Sequence, residues 1–213
     1  MELDFRELSR MERYKLLVSS VVPRPIALVT TISKDGIVNA APFSYFNAVS
    51  SEPPLLVLGL EVTDYAPRKD TGANIRDTGE FVVNLVSEAI KDEMNICAAD
   101  FPAEEDELAG AGLTAGASKT VSPPRIMESP ISFECKRMTT LEVGTGNRIV
   151  IGEVLMMHIE DQYFDAEKFH VDTPALELIG RMHGGNNYVR TSDPLEIPRI
   201  SYEDWAAGRD DTG

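Results

Sequence analysis

"NAAPFSYFNAVSSEPP", residues 39–54, is the stretch on which the reading of the whole chain turns. It opens like the end of a strand and then runs through small and hydroxyl residues, with almost no charge, to the double proline Pro53-Pro54. Asn39, Ser44, Asn47, Ser50 and Ser51 supply neutral donors and acceptors, while Phe43, Tyr45 and Phe46 supply flat apolar surface. Apolar walls with a few convergent polar groups suit a planar heteroaromatic ligand. The same composition would also serve a twisted edge strand with a proline-bent exit.

Working outward, "PIALVTTI" (25–32) is rich in β-branched residues and reads as a strand, and Asp35-Gly36 in "SKDGI" signals a tight turn. The return strand begins at Ile37 and leads into the opening stretch. "LLVLGLE" (55–61) is apolar on both faces and is expected to be central. "APRKDTGANIRDTGE" predicts a short helix ended by Gly79, followed by the strand "EFVVNLV". Ser87 is then a candidate N-cap for a helix that buries Ile90, Met94 and Cys97. Residues 100–124 read as a surface excursion or lid. "ISFECKRMTTLEV" and "RIVIGEVLMMHIE", flanking "GTGN", form a long hairpin whose mixed apolar faces suit a barrel strand that also meets a partner subunit. This order of elements predicts a mainly β, small antiparallel barrel with helical excursions, not a repeating βαβ sheet.

The chain has 213 residues, 43% of them apolar, and a formal net charge of −15. No basic cluster offers nucleic acid or an anionic membrane a footprint, so an anionic ligand needs a local cationic pocket. Cys97 and Cys135 lie outside any CxxC spacing and read as two buried thiols in a reducing compartment. The charged N-terminus lacks an apolar signal core, and a cytoplasmic protein is expected.

Two phosphate-loop lookalikes fail. "GTGNRI" has Ile149 where a third glycine is needed, and in "GASKT" the lysine does not follow the glycine. The three histidines, His158, His170 and His183, lack metal-ligand spacing, and there is no GxSxG elbow. "RKDT" (68–71) is more informative, because cations and a threonine at the start of a helix favour a phosphate, although a solvated charge cluster would look the same. "GRMHGGNNYVR" (180–190) gathers Arg181, His183, two glycines and Tyr188, either as a polar turn or as a segment that approaches a ligand closely.

Taken in order, "PRPIALVTTISKDGIVNAAPFSYFNAVSSEPPLLVLGL", "RKDTGANIRDTGEFVVNLV", "MNICAADFP", "ESPISFECK" and "GRMHGGNNYVR" closely resemble the flavin reductase-like family of FMN-binding split barrels, in its flavoredoxin-like branch. The resemblance covers residues 14–190, leaving 1–13 as an N-terminal arm and 191–213 as a tail. It implies a homodimeric split barrel with FMN in a cleft near the subunit interface. Asn39, Ser44, Tyr45, Phe46 and Asn47 would line the isoalloxazine, with Thr30 and Thr31 near by. Lys69 and Thr71, helped by Arg68, would hold the phosphate, and His183 and Tyr188 would close over the flavin or the nicotinamide. The chemistry is the flavin's, so no residue of the chain need be catalytic, His183 being the one candidate. The implied activity is that of an NAD(P)H:FMN oxidoreductase, with NADH or NADPH as donor and free flavin, oxygen or a redox or monooxygenase protein as acceptor. The alternative is a flavoredoxin-like electron carrier that holds FMN tightly and does not react with NAD(P)H.

Overall fold

The computed structural model describes residues 1–61 and 70–210. Helix α1 (Arg10–Ser20) leads into the short strand β1 (Arg24–Pro25) and then β2 (Ala27–Ile32), β3 (Val38–Phe43), β4 (Phe46–Ser51) and β5 (Pro54–Leu60). Helix α2 (Asp70–Thr78) precedes β6 (Glu80–Leu85), and α3 (Lys91–Ile96) and α4 (Glu107–Gly110) precede the short pair β7 (Ala115–Gly116) and β8 (Arg125–Ile126). The long strands β9 (Ile131–Val143) and β10 (Asn147–Ile159) follow. The short pair β11 (Phe164–Asp165) and β12 (His170–Val171), then β13 (Ile179–Arg181), β14 (Tyr188–Arg190) and α5 (Tyr202–Asp210), complete the order.

Seven strands form one antiparallel sheet in the order β3-β2-β6-β9-β10-β5-β4. Its two end strands, β3 and β4, are joined by Ser44 and Tyr45 alone. Laid flat, six inter-strand spacings would separate them by about 29 Å, whereas such a link reaches only about 11 Å. The sheet therefore curls until its ends meet, and the Gly59 N–H donates to the Tyr45 carbonyl at 2.7 Å where they do. The opening stretch is thus two strands on opposite ends of one sheet, not a single return strand, and β5 is not central but lies next to the end strand β4.

Strand alternation feeds two cores. Ala27, Val29, Phe43, Leu58, Phe81 and Val83 point into the barrel, with Ile75 of α2 closing one side. Ile26, Leu28 and Ala40 point outward against Ile90, Met94, Cys97 and Leu108. This is why β2 is apolar on both faces. Irregular register near Gly152 and between Val154 and Met156 bends the β9–β10 hairpin around the core, as bulges do. At Gly152 a Cβ would sit 2.3 Å from the buried Phe81 ring, so only glycine fits.

Several expectations need correction. Leu108, Ala111 and Leu113 are buried in one cluster with residues of β2 and β3, so residues 100–124 are pinned to the barrel at these points, while most of the segment lies exposed as the surface excursion expected. Ser87 makes no side-chain cap; it bridges Leu178, and a 3-10 turn (Glu88–Ile90) starts the helical segment instead. Gly79, with φ +76°, does end α2, and both cysteines are buried. Burial pushes the Cys97 thiol up to about 12. Helix α1 runs across the expected 13/14 boundary, and α5 gives the C-terminal segment a helical turn or two. No helix among the described residues is long and apolar enough to cross a membrane.

Candidate functional site

The Ser44–Tyr45 link that closes the barrel also forms one wall of a cleft of about 320 Å³. Pro42, Phe43, Gly59 and Glu61 continue that wall, and Tyr14 and Val18 of α1, Met94 of α3 and Ala98 just after it, and Arg181 and Tyr188 of β13 and β14 complete it. Gly59 is needed for a close approach: a Cβ there would lie 2.8 Å from the Tyr45 Cβ. Burial first, and the Glu61 carboxylate second, push the Tyr45 phenol up, so it stays protonated and able to donate at neutral pH.

Arg24 holds these walls together. It is only 5% exposed, and Nη1 donates to the Val18 and Val21 carbonyls at 2.6 and 3.1 Å. Nη2 donates to the His183 carbonyl at 3.1 Å, and Nε to Ser44 Oγ at 3.3 Å. A cation at the last turn of α1 also complements the helix dipole. The opposite end of α1 is fixed by a capping box in which Ser9 Oγ accepts from the Glu12 N–H and the Glu12 carboxylate accepts from the Ser9 N–H. Across the cleft the Arg181 guanidinium sits 4.5 Å from the Tyr188 ring centroid.

The residues expected from sequence fall into three groups. Ser44, Tyr45 and Tyr188 line the cleft, and His183, at φ 49°, does not line it but accepts from the cleft-lining Arg24 through its carbonyl, while its side chain is exposed. Thr31, Asn39 and Thr71 meet in a buried network beside α2. There Thr71 Oγ1 donates to Asn39 Oδ1 at 2.7 Å, Asn74 Nδ2 to Thr31 Oγ1 at 3.0 Å, and Asn39 Nδ2 to Glu107 Oε2 at 2.6 Å. Thr30 is also buried, with its hydroxyl donating to the Pro124 carbonyl and accepting from Asn84. The third group faces away from the cleft: Phe46 packs inside the barrel, and exposed Asn47 accepts from the N–H of Ala48. Arg68 and Lys69 lie outside the described residues. Arg24, Tyr14, Gly59 and Glu61 were missed, although an arginine between two prolines at the head of an uncharged strand is a visible oddity.

The comparisons with known proteins agree with this architecture. A family model described as a flavin reductase-like domain matches residues 18–176. The chain belongs to the flavin reductase-like family. It is similar to the 2-nitrobenzoate 2-nitroreductase of Pseudomonas fluorescens, at 36% identity and TM-score 0.85, covering 95% of this chain and 98% of that one. It is also similar to nitrilotriacetate monooxygenase component B of Bacillus cereus, at 32% identity and TM-score 0.87, covering 92% and 98%. A split-barrel-domain protein of Shewanella frigidimarina, at 21% identity, TM-score 0.81 and coverage of 94% and 100%, shares the fold. The fold is a split barrel of a flavin-binding family. Tyr14, Arg181 and Tyr188 lie outside the segment that the family model matches.

The cleft fits a flavin on its own residues. Its walls are aromatic and apolar where a planar ring would stack, a protonated phenol and a hydroxyl offer hydrogen bonds, and two guanidiniums stand in a chain of net charge −15.

Proposed function

We propose that the protein is an FMN-dependent oxidoreductase that uses NADH or NADPH and passes electrons to free flavin, oxygen or a partner protein. The observation that carries this reading is the aromatic, guanidinium-bearing cleft at the barrel seam of a flavin reductase-like chain. Bound flavin would supply the redox chemistry, taking a hydride from the dihydronicotinamide, which leaves as the oxidised pyridinium, and handing two electrons to the acceptor.

The chain's own work is binding and orientation. Tyr45 and Ser44 offer neutral hydrogen bonds to the ring edge, and Tyr188 covers a ligand from the far side. Lys69 and Arg68, directly before α2 in the sequence, would hold the FMN phosphate. Arg24 keeps Ser44, α1 and the 183 turn in register. The likeness to a monooxygenase component supports a protein acceptor. A carrier that holds FMN without using NAD(P)H is the second reading, and the charge of −15 favours it to the extent that it suits docking to a basic redox partner.

Titration of FMN, followed by flavin fluorescence, tests the cleft. Tyr45→Ala should weaken FMN binding by about tenfold, the loss of one stacking and hydrogen-bonding wall. Unchanged affinity would remove Tyr45 and its cleft from the cofactor site.

A further inference from the structure

Beyond Tyr188 lies a second groove of about 420 Å³, lined by Glu88, Lys91, Asp92, Asn95, Asn186 and Arg190. Met94 and Tyr188 line both this groove and the cleft beside Tyr45, so these two side chains form the partition. Arg181 stands at that partition against the Tyr188 ring, with no carboxylate partner in an ion pair among the described residues.

The cleft alone is small for two ligands. Its volume of about 320 Å³ is near the low end of what one drug-sized ligand occupies, about 300–1,000 Å³. A flavin ring and a whole dinucleotide do not share that space, and the half of the dinucleotide remote from the reacting ring needs adjoining room. We propose that the groove beyond Tyr188 receives the adenosine end of the dinucleotide donor, and that its ion pairs make the protein favour NADH over NADPH. This rests on the FMN oxidoreductase reading.

The charges of the groove argue for the preference. Its two cations already have partners: Arg190 Nε and Nη2 each lie 2.6 Å from a Glu88 carboxylate oxygen, and Lys91 Nζ lies 3.6 Å from Asp92. Hydrogen bonds from Arg190 hold the Glu88 carboxyl below the usual carboxylate range, so it is ionised at neutral pH. A 2′-phosphate would have to displace carboxylates from these cations and sit beside them. A ribose diol instead donates to a carboxylate, the arrangement by which NAD sites generally read the 2′-hydroxyl. Asn95 and Asn186 offer neutral donors and acceptors for the rest of the nucleoside, and Arg181 stands where the pyrophosphate would pass.

The test uses the FMN-loaded full chain without oxygen. The donors are NADH, NADPH and 1-benzyl-1,4-dihydronicotinamide, which carries the reacting ring but no phosphate or adenosine. Rates with the two dinucleotides are expressed relative to the benzyl compound, for the native chain and for Glu88→Gln, which frees Arg190. The native protein should favour NADH by about tenfold or more, and Glu88→Gln should raise the NADPH/NADH ratio by about tenfold. Equal or better use of NADPH by the native chain, or a ratio that Glu88→Gln does not move, overturns the proposal. Reduction by the benzyl compound but by neither dinucleotide also overturns it, while the flavin reading stands. If no donor reduces bound FMN, the donor reading itself fails and the groove falls with it.

Discussion

Thr71 and Lys69 stand two positions apart, yet the fold separates what each can do. Thr71 is wholly buried, and its hydroxyl proton is committed to Asn39 inside a buried polar network. Thr71→Val should therefore cost about 1 kcal/mol of stability, the net worth of one hydrogen bond, in a denaturant titration. Lys69→Ala should instead weaken FMN binding by about tenfold, through loss of one charge-assisted phosphate contact, and leave the unfolding midpoint unchanged. FMN affinity that survives Lys69→Ala would remove the phosphate anchor read from "RKDT". Asn39 shows the same division: its pattern in the sequence suggested a ligand contact, but its amide donates to Glu107 and its carbonyl accepts from Thr31 and Thr71. No local signal tells a polar side chain that faces a ligand from one that faces another polar side chain across the core.

At the scale of elements, the segment between α4 and β9 shows what the sequence hid. It reads as a loop because it is rich in glycine, serine and proline, yet Glu134 of β9 anchors it. The Glu134 side chain is fully buried and accepts from the N–H groups of Lys119 and Thr120 at 2.7 and 2.6 Å, and from the Thr120 hydroxyl. His158 Nε2 lies 2.5 Å away. Removal from water raises the carboxyl most, but bonds from Thr120, His158 and the two N–H groups outweigh it and hold it at about 2. A depressed carboxylate stabilises the fold above its unfolded pKa and loses that contribution as pH falls. The native chain should thus lose stability between about pH 4.5 and pH 2, and Glu134→Gln should flatten that part of the acid-unfolding curve while lowering stability at pH 7. Equal slopes for the two proteins in that range would contradict the assignment. Regular elements were legible because β2 and β6 are short runs rich in β-branched and apolar residues, the β9–β10 hairpin flanks a glycine turn, and Gly36 and Gly79 mark turns by positive φ. The break at Ser44-Tyr45 was not, because whether a strand continues or changes sides of a sheet depends here on the non-local pairing of β5 with β10, which carries the β4–β5 hairpin to the far end of the sheet.

Over the whole molecule, the β9–β10 hairpin leaves large apolar side chains exposed, Met138, Leu141 and Val143 toward its tip and Leu155 and Met157 toward the base of β10, a surplus of apolar surface on one pair of strands. A homodimer that covers it is the arrangement the family resemblance implies. Sedimentation at micromolar concentration should give a dimer, and Met138→Glu combined with Leu141→Glu should give a folded monomer. A native monomer that keeps FMN would contradict an interface cleft. The central claim, that the seam of this barrel is a flavin site served by a nicotinamide donor, is tested most directly by one measurement. The protein is loaded with FMN, freed of excess, and mixed without oxygen with NADH and then NADPH while the visible flavin band is followed. The account predicts that the band bleaches with at least one donor and no other protein present. A band that persists with FMN still bound would contradict the reductase reading and leave the electron carrier, and failure to retain or bind FMN at all would contradict the flavin site itself.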